Sequence, residues 1–174
     1  NVLSIFKKER IGKHIYLFDL QESCFPPLDG TFTYNIVHWY LSWEGRREGI
    51  SQIRHDVKME DRKYQDIEIV NDSYLPRLDS MFGVICFFYW SFFSLILSFF
   101  SLILGYPKYA ILLSEMQKAK MFELARKSSI AKEYLFNNQN MIYRWIWTYN
   151  AEDQGAKITL YNWGRAGFIP ETTD

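Results

Sequence analysis

The clearest pattern along the chain is an unbroken apolar run, Met81 to Gly105, reading MFGVICFFYWSFFSLILSFFSLILG without a single charge. As a helix this run would be roughly 37 Å long, and a bilayer's hydrocarbon core is about 30 Å thick. In lipid the backbone must satisfy its own hydrogen bonds, so the run predicts one transmembrane helix over residues 81–105. Inside it, Ser91 to Leu97 is repeated as Ser98 to Leu104. Ser91, Ser94, Ser98 and Ser101 then fall within an arc of about 80° of a helix, and Gly83 and Gly105 join that face. Small residues let membrane helices approach closely, and hydroxyls bond across the contact, so the stripe predicts a helix–helix interface. Phe92, Phe93, Phe99 and Phe100 lie off the stripe and suit lipid or bulky neighbours. The plainer alternative is an anchor whose serines bond back to their own helix carbonyls.

The patterns on either side are weaker. After the run, Pro107 ends or kinks the helix. Tyr109, Leu112, Leu113, Met116 and Ala119 then form an apolar stripe that predicts a long amphipathic helix over 109–137. Ile142 to Tyr149 and Lys157 to Tyr161 are strand-like around a turn-rich link, which predicts a C-terminal β-hairpin over 142–161. Before the run, HIYLFDL (14–20) reads as a short strand. Pro26, Pro27, Asp29 and Gly30 mark a turn. Tyr34 onwards leans to helix, residues 51–63 are dense in charge of both signs, and Tyr64 to Val70 reads as extended. The expected fold class is a membrane protein: a single transmembrane α-helix with small mixed α/β flanks, an N-terminal region 1–80 and a C-terminal region 106–174. Lys and Arg near the run lean slightly towards placing the C-terminal side in the matrix or cytosol.

Composition narrows the functional classes. The chain has 174 residues and balances 20 Lys and Arg against 20 Asp and Glu, which argues against a nucleic-acid partner. The two cysteines, Cys24 and Cys86, give no disulfide framework and no zinc spacing. No P-loop, GxSxG, HExxH or Rossmann glycine pattern occurs. His38 reads as a packed histidine. His55, Asp56, Glu60 and Asp61 resemble metal ligands only superficially, for no second histidine lies near them. Accordingly no catalytic, cofactor-binding or metal-binding residue is assigned. Aromatic residues make up 18% of the chain, a content suited to interfaces. Trp39, Trp43, Tyr89, Trp90, Trp145, Trp147 and Trp163 are the expected aromatic contacts.

Small flanks, many aromatics and one span together point to a non-catalytic accessory subunit of a large membrane complex, with other subunits and membrane lipids as partners. The mitochondrial inner membrane, in the respiratory chain or ATP synthase, is the expected setting, and a presequence removed before Asn1 would fit it. The alternative is a small single-span enzyme, or enzyme partner, of the endoplasmic reticulum membrane.

Overall fold

A strand covered on both faces meets no water on either side, so it sits at the centre of a sheet with layers packed above and below. Two short segments are buried at every residue: His14–Leu17 (β1) and Glu133–Asn137 (β5). They lie side by side in the middle of one sheet. The computed structural model describes residues 11–28, 34–42, 48–137 and 143–161. In chain order the remaining elements are α1 (Ile36–Leu41), β2 (Gln52–His55), β3 (Arg62–Tyr64), β4 (Ile67–Asn71), α2 (Met81–Ile103), α3 (Lys108–Leu124), α4 (Ile146–Asp153) and β6 (Lys157–Tyr161).

The sheet has six strands in the order β3-β4-β2-β1-β5-β6, all parallel except β3, which runs antiparallel to β4. Without that edge strand the order is third, second, first, fourth, fifth, the doubly wound arrangement. Side chains alternate across the pleat. Ile15 and Leu17 face α1 and pack with Ile36, Val37, Tyr40, Ile53, Ile69 and Leu135. Tyr16 and Phe18 face the other way, towards α3 and α4, with Phe122, Tyr134, Phe136 and Trp147. On this second face the rings stack closely: Trp147 on Phe122 at 4.8 Å between centroids, and Phe18 on Phe136 at 4.4 Å.

The helix α2 is, among the described residues, the one helix long and apolar enough to cross a membrane. Only 11% of its most apolar window is buried, so most of that window lies outside the core of the domain. Ser80 caps its start by accepting the Gly83 N–H. Its end is a Schellman motif: Tyr106 N–H bonds to the Ser101 carbonyl and Gly105 N–H to that of Leu102. Gly105 takes φ 82°, the left-handed conformation that glycine adopts without strain.

The structure corrects several sequence expectations. The helix expected over 109–137 ends at Leu124; a short 3-10 turn at Lys127–Ser129 follows, and 133–137 is the central strand β5. No Gly or Pro marks that stop. Ser128 and Ser129 do, through their preference for turns over helix interiors. The hairpin expected over 142–161 is also absent among the described residues. Ile146–Asp153 is helix α4, and β6 pairs in parallel with β5 rather than folding back on its predecessor. Packing decided this against local preference: Trp147, Thr148 and Ala151 are the buried positions of α4, the spacing of one helical face. Nor do the regions before and after α2 stand apart. Strands β1 to β4 come from the first and β5 and β6 from the second, and all hydrogen-bond in one sheet.

Candidate functional site

The chain leaves the sheet at β4, makes the α2–α3 hairpin, and returns as β5. Ser98 is buried in this hairpin, and its hydroxyl donates to the Tyr109 carbonyl at 3.4 Å. Near the hairpin's base, a Cβ added at Gly83 would lie 3.6 Å from the Leu124 carbonyl. These two contacts are equally spaced on both helices, so α2 and α3 run antiparallel with Ser98 opposite Tyr109 and Gly83 opposite Leu124. Ser91, Ser94 and Ser101 are half-buried, and the Ser91 hydroxyl is enclosed without a hydrogen-bond partner. The small-residue stripe therefore faces α3 of the same chain. Gly105 belongs to the exposed turn instead. The opposite face of α2 is open: Phe82, Ile85, Phe88, Phe92, Phe99 and Leu104 are all exposed.

The aromatic positions separate into different roles. Tyr89 is exposed and touches Phe93, with 4.6 Å between ring centroids. Trp90 borders a groove of about 220 Å³ shared with Met116, Lys120 and Asn150. Trp39 lies against Tyr161 at 5.6 Å. Trp145 and Trp147 join the ring cluster behind β1 and β5. Trp43 and Trp163 lie outside the described residues.

A second feature comes from topology. The link after β1 leads to α1 on one face, whereas the link after β5 leads to α4 on the other. Elements that diverge in this way make the carboxyl edge between the two strands the topological switch point, the place where open α/β sheets hold ligands. Asp19 stands there, two residues past β1, with φ 57°. Burial, helped by the Asp56 carboxylate just past β2, raises the Asp19 pKa above its ordinary value. Asn137 ends β5 on the same edge, and Tyr161 ends β6. The Tyr161 hydroxyl is buried without a hydrogen-bond partner; burial, then the nearness of Cys24 and Asp19, raises its pKa. Carboxylates, an amide and a phenol at such an edge can bond hydroxyl-bearing ligands. His55 is buried against Phe25, and burial lowers its pKa. No group of three or more His, Cys, Asp or Glu able to hold a metal occurs among the described residues.

Residues 93–174 match the model of a family described as polysaccharide biosynthesis PFTS motif protein. The match covers a little under half of the chain. It runs from the outer half of α2 through α3, β5, α4 and β6. It thus contains most of the exposed apolar tip and the β5 side of the switch point. No curated protein and no solved structure matches the chain.

Sequence reasoning passed over Asp19, Asn137 and Tyr161, and weighed Asp56 only as a metal ligand. The signal available was positional: each closes a short apolar or alternating strand, and only the strand order makes those ends neighbours. At the opposite, amino edge, a polar cavity of about 430 Å³ is lined by Lys13, His14, Gln52, Arg54 and Glu68. There the His14 pKa is lowered to about 4, first by burial and then by the Arg54 guanidinium. Arg54 is itself tied to Asp72 at 2.9 Å.

Proposed function

We propose that this protein acts in polysaccharide biosynthesis at a membrane surface, with α2 entering the lipid and the carboxyl edge of β1 and β5 holding a hydroxyl-rich ligand. The observation that carries the reading is the reach of the family match. It includes the apolar tip of α2 and the β5 side of the doubly wound switch point in one continuous segment. The exposed face of α2 supports the membrane, because a large apolar surface on a folded domain marks a lipid or protein contact. Asp19 and Asn137 support the ligand, since acidic and amide groups at the carboxyl ends of parallel strands suit sugar or ribose hydroxyls.

The test is loss of the gene in its native cells, followed by complementation. Restoration of the affected polysaccharide by the wild-type chain but not by Asp19→Ala or Asn137→Ala is expected. An unchanged polysaccharide profile in the deletion strain would remove the proposal. The accessory-subunit reading remains a second proposal, favoured by the same exposed apolar face, which a partner subunit could cover. Gentle detergent extraction separates the two. Stable comigration with a respiratory or ATP-synthase complex supports the subunit, and migration without one supports the surface-bound protein.

A further inference from the structure

We infer that the α2–α3 hairpin is a one-sided membrane anchor: the chain enters the lipid and leaves it on the same face, and both flanks stay on that face. This rests on the membrane association proposed above, but not on the polysaccharide role. Connectivity is the first constraint. β4 precedes α2 and β5 follows α3, yet the two belong to one hydrogen-bonded sheet, with only β2 and β1 between them. A helix that carried the chain across a bilayer would place β5 on the far side unless a second helix brought it back. α3 cannot be that second span. It carries Glu115, Lys118, Lys120 and Glu123. Charged side chains in mid-helix are strongly disfavoured at the centre of a bilayer. Its Ala119 and Phe122 are also packed into the sheet's core.

The hairpin's register sets how far it can reach. With Ser98 opposite Tyr109 and Gly83 opposite Leu124, Glu115 falls opposite Phe92. Beyond that level α3 offers Tyr109, Ile111 and Leu112, exposed and apolar, and α2 offers Leu95, Leu97, Phe99 and Leu104. From Phe92 to the turn at Gly105 the helix rises roughly 20 Å, against about 15 Å for one leaflet, half of a hydrocarbon core of about 30 Å. The tip is thus long enough to fill one leaflet and too short to cross two. Lys108 is the single cation beyond the Glu115 level. Its ammonium lies 5.2 Å from the Tyr109 ring centre, and its stem is long enough to lift the charge towards the headgroups. Pairing α2 with α3 also encloses the Ser91 hydroxyl and buries Ser98, which turns the Phe and Leu face of α2 outwards.

The experiment adds the full chain to sealed phosphatidylcholine–phosphatidylglycerol vesicles, in a Cys24→Ser, Cys86→Ala background. Flotation is scored first. Single reporters Glu60→Cys before α2 and Asp153→Cys after it are then exposed to a membrane-impermeant maleimide. Both should label fully from outside, with no increase after detergent. A fluorophore on Leu104→Cys should be quenched by doxyl-labelled lipid. Lys63→Cys replaces Glu60→Cys if that variant fails to fold. Labelling of one flank only after detergent overturns the one-sided anchor while leaving membrane association intact. A Leu104 reporter that floating protein leaves unquenched overturns it as well. Failure to float removes both the anchor and the membrane reading.

Discussion

Trp147 couples the hairpin to the sheet, and its replacement tests how. The indole is fully buried, stacks on Phe122 of α3, and sits within 6 Å of Tyr134 and Phe136 of β5. A buried Trp takes roughly 200 Å² out of water, worth about 5 kcal/mol at ~25 cal/mol per Å². Against this, the indole N–H has no hydrogen-bond partner. Such an orphaned donor costs about 1–3 kcal/mol in the folded state. Trp147→Ala should therefore destabilise by about 3 kcal/mol, lowering Tm by roughly 6–12 °C for a chain of this size. Trp147→Phe gives up part of the ring, worth about 1.5 kcal/mol, and removes the orphaned donor, so its Tm should stay within about 4 °C of wild type. Thermal unfolding followed by near-UV circular dichroism in mild detergent measures both. If Trp147→Phe melted as low as Trp147→Ala, the N–H would have a favourable partner, and no orphaned-donor penalty would offset the burial of the ring.

Other outcomes follow from equally local geometry. Gly12→Ala should abolish folding or lower Tm by about 10 °C or more, because its Cβ would meet the Ile130 and Ser128 carbonyls at 2.5 and 2.8 Å, both backbone atoms that cannot swing aside; soluble yield and melting measure it. The depressed His14 pKa makes stability depend on pH with a definite sign. The unfolded chain binds a proton near 6.5 that the folded chain refuses until about 4, so stability is complete above 6.5 and falls as pH drops through that window. The loss should reach about 3 kcal/mol, and His14→Asn should flatten the slope in urea titrations between those pH values. On the hairpin, Ser98→Leu should destabilise by about 1–3 kcal/mol through overpacking against α3, whereas Phe99→Ser, at a position 60% exposed, should leave Tm unchanged and weaken vesicle flotation. Reversal of that pair would mean that the faces of α2 have been assigned the wrong way round.

The apolar helix was plain from sequence because its signal is additive: an unbroken run of uncharged residues has few other homes. The serine stripe was equally plain as a surface for another helix. Which helix was not, since α3 carries charges at Glu115 and Lys118 that on their own suggest an outer, solvated element. Lys118 pairs with Glu115 Oε1 at 2.7 Å, the other Glu115 oxygen is enclosed without a hydrogen-bond partner, and the helix packs on the sheet through Ala119 and Phe122. The parallel sheet was the least legible part. Its strands run to three to five residues each, too short for alternation to register. β2 lay hidden in a stretch dense in charge of both signs. Its Arg54 is neutralised by Asp72 at the end of the neighbouring strand, a pairing made possible only by the register that sets Arg54 beside Val70. The carboxyl-edge residues were illegible for the same reason. Asp19 and Asn137 are far apart in sequence and become neighbours only through the pairing of β1 with β5.

That pairing also bears on what the family match can mean. The matched residues hold β5 and β6, two of the sheet's six strands, and β5 needs β1 on its other side. Two strands alone are marginal in water. The ring cluster that fixes α3 and α4 to them includes Tyr16 and Phe18, both outside the match. The segment therefore does not make a folding unit by itself. The switch point has the same divided origin: β1 lies before the match begins and β5 within it. A ligand bound there must be read by residues of both halves. Substitutions at Asp19, outside the matched segment, should thus impair the proposed polysaccharide role as severely as substitutions at Asn137 inside it. An Asp19→Ala chain that complements fully, beside an Asn137→Ala chain that does not, would move the site away from the switch point and onto the matched half alone.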